Sequence, residues 1–522
     1  MSGQTITLLR SGNRLVVDPS PPAVRDLLTP HLRYTERVYA RGREARERRR
    51  AGRSLFEAVE WQCYAEDHKG RLATSFGFHD LVAGLLTAAG YAVTTRWASR
   101  VEEAEVRRRE RTVYRPEWGL IDELVRGGFE FRHRQREALE VIAAHENGRI
   151  DCHPGWGKGT LIMLAARLFP RAKVDVVTKR VPVLLTRLYP ELSLHLPSVG
   201  VVGGGRRVTG RRVMCYTADS LHHGRADADF VFVDEGHEAC ADSFAEKLGR
   251  YEHARMWAFS GSWDMRLDNK DMRALAMFGP VRLRVPYEEG VAHGVVVPIE
   301  VRWEDVIMDE NPCAGCVDDT ERKRAGVWAN AYRNRVIAAV AGRYGPDVQT
   351  LITVETVEHA LRLAELLPDF TPVYSGQSLR PREADWFRRH FPRTFVEMTA
   401  DELRRRTVAF ERGELRKAVA TTVWNVGVDF RHLEVLIRAD AGGSPINDVQ
   451  IPGRNSRKKR EGDDRPKAVG VVHDFLDQFD VGFRRRAERR AQNYARNGWR
   501  QVYPDRSRRG GLRAALDLGG SP

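Results

Sequence analysis

No run of about 18 apolar residues occurs anywhere in this chain, and its opening, MSGQTITLLRSGNRLVV, holds no continuous apolar segment. A membrane-spanning helix and a secretion leader are therefore not expected. Six cysteines scattered over 522 residues do not resemble a disulfide framework and suit a reducing compartment. Cys313 and Cys316, in NPCAGCVDD, have metal-ligand spacing, but no second CxxC or histidine pair lies nearby to complete a tetrahedral site, so a loop turn is the better reading. No short-period repeat occurs. Acidic residues are outnumbered, 71 against 85 basic ones, for a formal charge of +14. That balance favours a polyanionic partner such as nucleic acid, although a solvated arginine-rich surface produces the same excess.

The length suggests about three domains at roughly 150 residues each. Residues 1–112 mix short strand-like runs (TITLLR, RLVVDP) with the basic stretch RGREARERRRAGR from Arg41 to Arg53 and an amphipathic helix candidate, FHDLVAGLLTAAGY. Two glutamates in the basic stretch leave a solvated helix face and a nucleic-acid contact both open. Residues 113–296 alternate strand-like and helical segments, with strands expected at GRIDCHP, KVDVVT, RRVMCYT, ADFVFVDE and RMWAFSGS. Residues 297–480 repeat the alternation at VQTLITV, FTPVYSG, AVATTVW, LEVLIRA and AVGVVHDF. Such alternation predicts parallel sheets covered on both faces. Residues 481–522 are basic and end in a Gly- and Arg-rich segment expected to fray.

Within the first block, DCHPGWGKGTLI approaches the phosphate-loop pattern G-x-x-x-x-G-K-[ST], in which backbone N–H groups surround the phosphates, the lysine reaches the β and γ oxygens and the hydroxyl holds Mg²⁺. Gly155, Gly157 and Lys158 fit, within a loop that also includes Pro154 and Trp156. Cys152 replaces the first glycine. Gly159 stands at the hydroxyl position, and Thr160, which follows one residue late, is the candidate to shift inward and help hold the metal. Two explanations of Gly159 stay open: a metal shell short of one oxygen, or a backbone that needs positive φ. A Gly-rich turn between strand and helix is the bland reading of the whole loop.

A phosphate loop needs a carboxylate at the end of a neighbouring buried strand. DFVFVDEGHE runs four apolar residues, Phe230 to Val233, into Asp234, Glu235, Gly236 and His237. Asp234 is expected to hold Mg²⁺ directly or through water, and Glu235 to act as general base on the attacking water. A surface turn closing a strand is the alternative.

With these motifs in order, the chain resembles the superfamily 2 helicases and translocases of the DExH type, closest to the branch of phage UvsW-like and XPB-like DNA helicases. FRHRQREAL resembles the segment in which an arginine and a glutamine, here Arg132 and Gln135, recognise adenine. CHPGWGKGT resembles motif I, VDEGH motif II, FSGS (259–262) motif III, and TTVWNVGVDF motif V with Gly427 and Asp429 at its core. QIPGRNSRKK fits Q-x-x-G-R-x-x-R, with Gln450, Arg454 and Arg457 at its defining positions. The resemblance implies that the two arginines are fingers on the γ-phosphate, worth roughly 10³ to 10⁵ in rate.

It also implies two tandem RecA-like parallel-sheet domains after a small N-terminal α+β domain and before a basic C-terminal tail. ATP and Mg²⁺ are the expected cofactors, and DNA rather than RNA the expected partner, with no membrane, in the cytoplasm of a bacterial or phage-infected cell. The alternatives are an RNA helicase and a nucleic-acid-binding protein with an impaired ATPase. LATSFGFHDLVAGLLTAAGYAV likens the N-terminal region to the small domains preceding the motor in the phage helicases, as a DNA contact or a structural brace.

Overall fold

The computed structural model of the chain describes residues 4–40, 44, 47–48, 51, 53–54, 56–261, 263, 271–424, 430–458 and 467–504. They fall into two compact units, Met1–Pro286 and Tyr287–Pro522. Most of the arginine-rich stretch from Arg41 to Arg53, and the Gly- and Arg-rich C-terminal segment, lie outside the described residues.

The first unit opens with β1 (Thr5–Ser11), β2 (Arg14–Asp18), the antiparallel pair β3 (Arg33–Tyr39) and β4 (Phe56–Gln62), then β5 (Tyr64–Glu66), β6 (Leu72–Ser75), the helix α1 (His79–Ala88) and β7 (Ala92–Trp97). Five of the strands form a sheet in the order β5-β6-β2-β1-β7. Ile6 and Leu8, Leu15 and Val17 alternate inward with period two and meet Val82 and Leu86 of α1. The same core takes in Met272, Leu275 and Ala276 from the helix Asp271–Phe278 of the following block. A Cβ on Gly77 would lie 2.0 Å from the Leu275 carbonyl oxygen, so the two backbones touch. Arg10 bridges to Glu146 at 2.6 Å, and the Arg273 Nε donates to Tyr34 at 2.6 Å. The small α+β region is thus seated on the parallel sheet of its own unit.

That sheet is built from β8 (Gly148–Cys152), β9 (Val174–Thr178), β10 (Val199–Gly203), β11 (Arg206–Val208), β12 (Val213–Thr217), β13 (Phe230–Asp234), β14 (Arg255–Ser260) and β15 (Val281–Val285), in the order β11-β10-β12-β9-β13-β14-β8-β15. Every pairing is parallel except β10 with β11. VDVVT, VMCYT and FVFVD are buried along their whole length, as strands covered on both faces must be. Helix α2 (Gln135–Ala144) precedes β8, α3 (Lys158–Leu168) follows it, and α4 (Tyr189–His195) follows β9 after a π turn at Leu184–Leu188.

Among its described residues the second unit has seven strands, β16 (Ile299–Val306), β17 (Thr350–Thr353), β18 (Thr371–Val373), β19 (Lys417–Ala420), β20 (Val435–Arg438), β21 (Gly470–Asp477) and β22 (Arg500–Val502), in the order β18-β19-β17-β20-β21-β16-β22, all parallel. Helix α5 (Pro445–Gly453) follows β20, and α6 (Val481–Arg496) follows β21. The expected fold class, tandem RecA-like parallel-sheet blocks after a small α+β region, is the fold observed. The basic segment from residue 481 is more than a tail: Arg490 and Tyr494 of α6 are buried against Asp474 of β21, and β22 closes the sheet edge.

Candidate functional site

Strands β13, β14 and β8 lie side by side, with Asp234 level with Phe259 and Ser260 level with Asp151. Their carboxyl ends therefore bring three loops to one edge, the usual place for a ligand in an open parallel sheet. The loop after β8 turns through Gly155 at φ +86° and Gly157 at φ +107° before α3 starts at Lys158. A side chain on Gly157 would be excluded twice, by that φ and by Gln135 Nε2 at 2.6 Å from the Cβ position.

The segment ahead of α2 holds this loop in place. Gln135 Nε2 donates to the Trp156 carbonyl at 3.1 Å, its Oε1 accepts from the Arg132 N–H at 3.0 Å, and the Arg132 guanidinium donates to the Gly155 carbonyl at 2.6 Å. The buried Trp156 indole donates to the His133 carbonyl at 2.8 Å, and the Pro154 carbonyl pairs with His153 Nδ1 at 2.9 Å. Arg132 and Gln135, expected at adenine, are here tied to the loop itself.

Lys158 is buried, and its Nζ lies 2.5 Å from Glu235 Oε1. Burial works against its charge, but Glu235 and Asp234 outweigh that and raise its pKa. Burial equally opposes the Glu235 carboxylate, yet Lys158 and His237 pull its pKa down to about 2. Glu235 sits at φ 52°, in the left-handed region that a side chain adopts at a cost of order 1 kcal/mol or more. Asp234 is 1% exposed and its pKa is raised, because burial exceeds the opposing effects of Arg187 and Lys158. Its Oδ2 accepts from Arg187 at 3.0 Å, while its Oδ1 is buried without a hydrogen-bond partner. His237 Nδ1 reaches Ser260 Oγ at 2.7 Å and Glu235 Oε2 at 3.5 Å.

Gly159 lies inside α3 without positive φ, so the backbone explanation of this glycine falls. The space beside it is filled by Glu191 of α4, and the Thr160 hydroxyl, expected near the metal, donates instead to Glu191 Oε1 at 3.3 Å. Arg187 and Glu191 are one helical turn apart on the segment after β9. No short motif marks them; their i, i+4 spacing becomes informative only once the facing helix surface is known.

In the second unit, Gln450 lies on α5 and Arg454 opens the turn that follows, its guanidinium 5.9 Å from the Phe430 ring centre. Asn455 Nδ2 donates to the Val471 carbonyl at 2.8 Å and the Val297 N–H to the Ser456 carbonyl at 2.7 Å, which anchors the turn between Arg454 and Arg457. Both arginines are partly exposed. Gly427, Asp429 and Ser262 lie outside the described residues.

Asp234 suits a hard cation: one of its carboxylate oxygens is buried without a hydrogen-bond partner, on the strand end that meets Lys158 through Glu235. Among the described residues no group of three His, Cys, Asp or Glu side chains forms a metal cage. Cys313 and Cys316 form a turn, with the Cys316 N–H donating to the Cys313 carbonyl at 3.1 Å.

No protein-family model matches the chain. A DNA 3'-5' helicase XPB of Kineococcus radiotolerans is 24% identical over 383 residues, which cover 70% of this chain and 64% of that protein. The chain is similar to superfamily 2 helicases. It spans about 64% of the length of this curated relative. Among solved structures, T4 UvsW matches with TM-score 0.41 at 15% identity over 96% of this chain and 99% of its own. Mycobacterium smegmatis helicase Lhr, bound to ssDNA and AMP-PNP, matches with TM-score 0.46 at 16% identity over 72% of this chain and 50% of its own. Among the described residues, no helix is long and apolar enough to cross a membrane.

Proposed function

We propose that the chain is an ATP-dependent DNA helicase or translocase. The observation that carries this reading is the meeting of Lys158 with Glu235, next to Asp234, at the carboxyl ends of the parallel strands β8 and β13 that flank β14, beside a loop whose two left-handed glycines turn its backbone. Residues Gly155 to Thr160 would receive the phosphates through backbone N–H groups and the N-terminus of α3. Asp234 would hold Mg²⁺, which supplies charge neutralisation on the phosphate oxygens.

Glu235 is kept ionised by Lys158. A triphosphate competes for that lysine, so Glu235 loses its cation partner as substrate enters and becomes a stronger proton acceptor for the attacking water. His237 positions Glu235 and links it to Ser260. Arg454 and Arg457 are read as the charges that stabilise the transition state, with Gln450 beside them. The basic balance supports a nucleic-acid substrate gripped by its phosphates, and the XPB relative supports DNA.

The test is ATP turnover by the full chain alone and with single-stranded DNA, double-stranded DNA or RNA. Turnover stimulated most by DNA is expected. Stimulation by RNA only would replace DNA in the reading, and nucleic-acid binding without turnover would leave an impaired ATPase.

A further inference from the structure

We infer that the Glu191 carboxylate takes the place of the hydroxyl missing at Gly159 and serves as an oxygen ligand for the divalent cation that accompanies a bound nucleoside triphosphate. This rests on the nucleotide-binding reading above.

A Cβ built on Gly159 would lie 2.6 Å from Glu191 Oε2, 3.1 Å from Cδ and 3.2 Å from Oε1. The carboxylate therefore fills the volume that the serine or threonine side chain of a standard loop occupies. Glycine at this position is a steric requirement of Glu191, since its backbone is ordinary helix. The Thr160 hydroxyl donates to Oε1 at 3.3 Å and orients the carboxylate from the next helical position.

A second observation, on the same helical segment, points to a cation. Arg187, one turn before Glu191 on the same helical segment, binds Asp234 Oδ2 at 3.0 Å, while Asp234 Oδ1 is buried and unpartnered. The π turn at Leu184–Leu188 is the irregularity that precedes α4 and carries Arg187. Single-turn π bulges of this kind are frequent at functional sites. An oxygen that no protein donor satisfies, beside a loop built for phosphate, is what a hard cation needs.

Exchanging a hydroxyl for a carboxylate adds a negative charge beside the loop when no metal is bound. An ionised Glu191 repels the phosphates of a free nucleotide and attracts them through a bridging cation. Nucleotide binding by this chain should therefore depend on divalent metal more steeply than in a loop with a hydroxyl.

The experiment titrates the full chain with a fluorescent ATP analogue, with Mg²⁺ and with EDTA. Glu191→Gln keeps the acceptor for Thr160 and removes the charge. We expect it to weaken binding in Mg²⁺ by at least about tenfold, the range that metal-shell changes produce, and to leave binding in EDTA equal or tighter. Mn²⁺ titrated by electron paramagnetic resonance in the presence of ADP should bind the variant more weakly. The double variant Gly159→Ser with Glu191→Ala should recover binding in Mg²⁺ with a shallower dependence on the metal than the unaltered chain, because the hydroxyl returns as the carboxylate leaves; it also serves should Glu191→Gln not fold. Unchanged Mg²⁺ dependence in Glu191→Gln, or weakening by the same factor in Mg²⁺ and in EDTA, overturns the inference and leaves the nucleotide reading intact. Absence of nucleotide binding by the unaltered chain in Mg²⁺ overturns the nucleotide reading itself.

Discussion

His237 Nδ1 lies 2.7 Å from Ser260 Oγ, with both residues buried, so the turn after β13 is bonded to the end of β14. The same ring nitrogen is 3.5 Å from Glu235 Oε2. A shift of β14 is thus felt at the proposed general base through one imidazole.

Ser260→Ala removes that bond with little change of volume. The expected cost is about 1 kcal/mol of stability, and the ratio of DNA-stimulated to unstimulated ATP turnover should fall about fivefold, the rate equivalent of the same energy. The ratio, measured at saturating DNA, checks the link; an unchanged ratio would make the bond purely structural.

Lys158→Ala should abolish turnover, since no other lysine stands in the loop. It also has a signature in acid. Against the push of burial, Lys158 and His237 hold Glu235 at about 2, below its ordinary 4.5. A carboxylate depressed in the native state contributes stability above its unfolded pKa and loses it as the pH falls from about 4.5 toward about 2. Without Lys158 most of that contribution is absent at every pH. The gap in urea midpoint between the unaltered protein and the variant should therefore be widest above about pH 5 and shrink below it.

For Glu235→Gln, size is kept and proton transfer is lost. Nucleotide binding should persist while turnover falls at least about 10²-fold. Single-turnover hydrolysis measures this directly, and an equal rate would move the base to another group.

Much of this could be read before any coordinates. Phe230 to Val233 of ADFVFVDE form an unbroken apolar run and KVDVVT is rich in valine around a single buried Asp175, because β9 and β13 are covered on both faces, and that two-sided burial made them conspicuous. That Lys158 and Glu235 meet was suggested by the sequence because each lies at the end of a strand-like run, in a pattern resembling a phosphate loop and its partner carboxylate. Arg187 and Glu191 were not, because their partners Asp234, Gly159 and Thr160 are 31 to 47 residues away and meet them only through tertiary packing. The contact of Gly159 with Glu191 could not be read from the sequence, because it exists only once α4 is packed on α3. The arginines of VGFRRRAERRAQNYAR read alike in the sequence, yet Arg490 is 1% exposed while Arg484 and Arg485 face solvent, a difference set by which face of α6 meets β21.

That burial supports a last prediction. Arg490 donates from Nε and Nη2 to the two oxygens of Asp474 at 2.9 Å each, and from Nη1 to the Gly442 carbonyl at 2.8 Å. Tyr494 donates to Asp474 at 2.7 Å, and Asn493 of the same helix donates to Asp448 of α5 at 3.0 Å. Removing the guanidinium strands a carboxylate that is 1% exposed, so Arg490→Met should destabilise the second unit by about 3 to 5 kcal/mol, a drop in Tm of roughly 10 °C. Adding Asp474→Asn removes the stranded charge while keeping an acceptor for Tyr494. The double variant should then be less destabilised than Arg490→Met alone, a non-additivity expected only of groups that share one buried site. Calorimetry of the three variants decides it. If the two losses simply add, the pair is not coupled, and α6 is held to β21 by its apolar face instead.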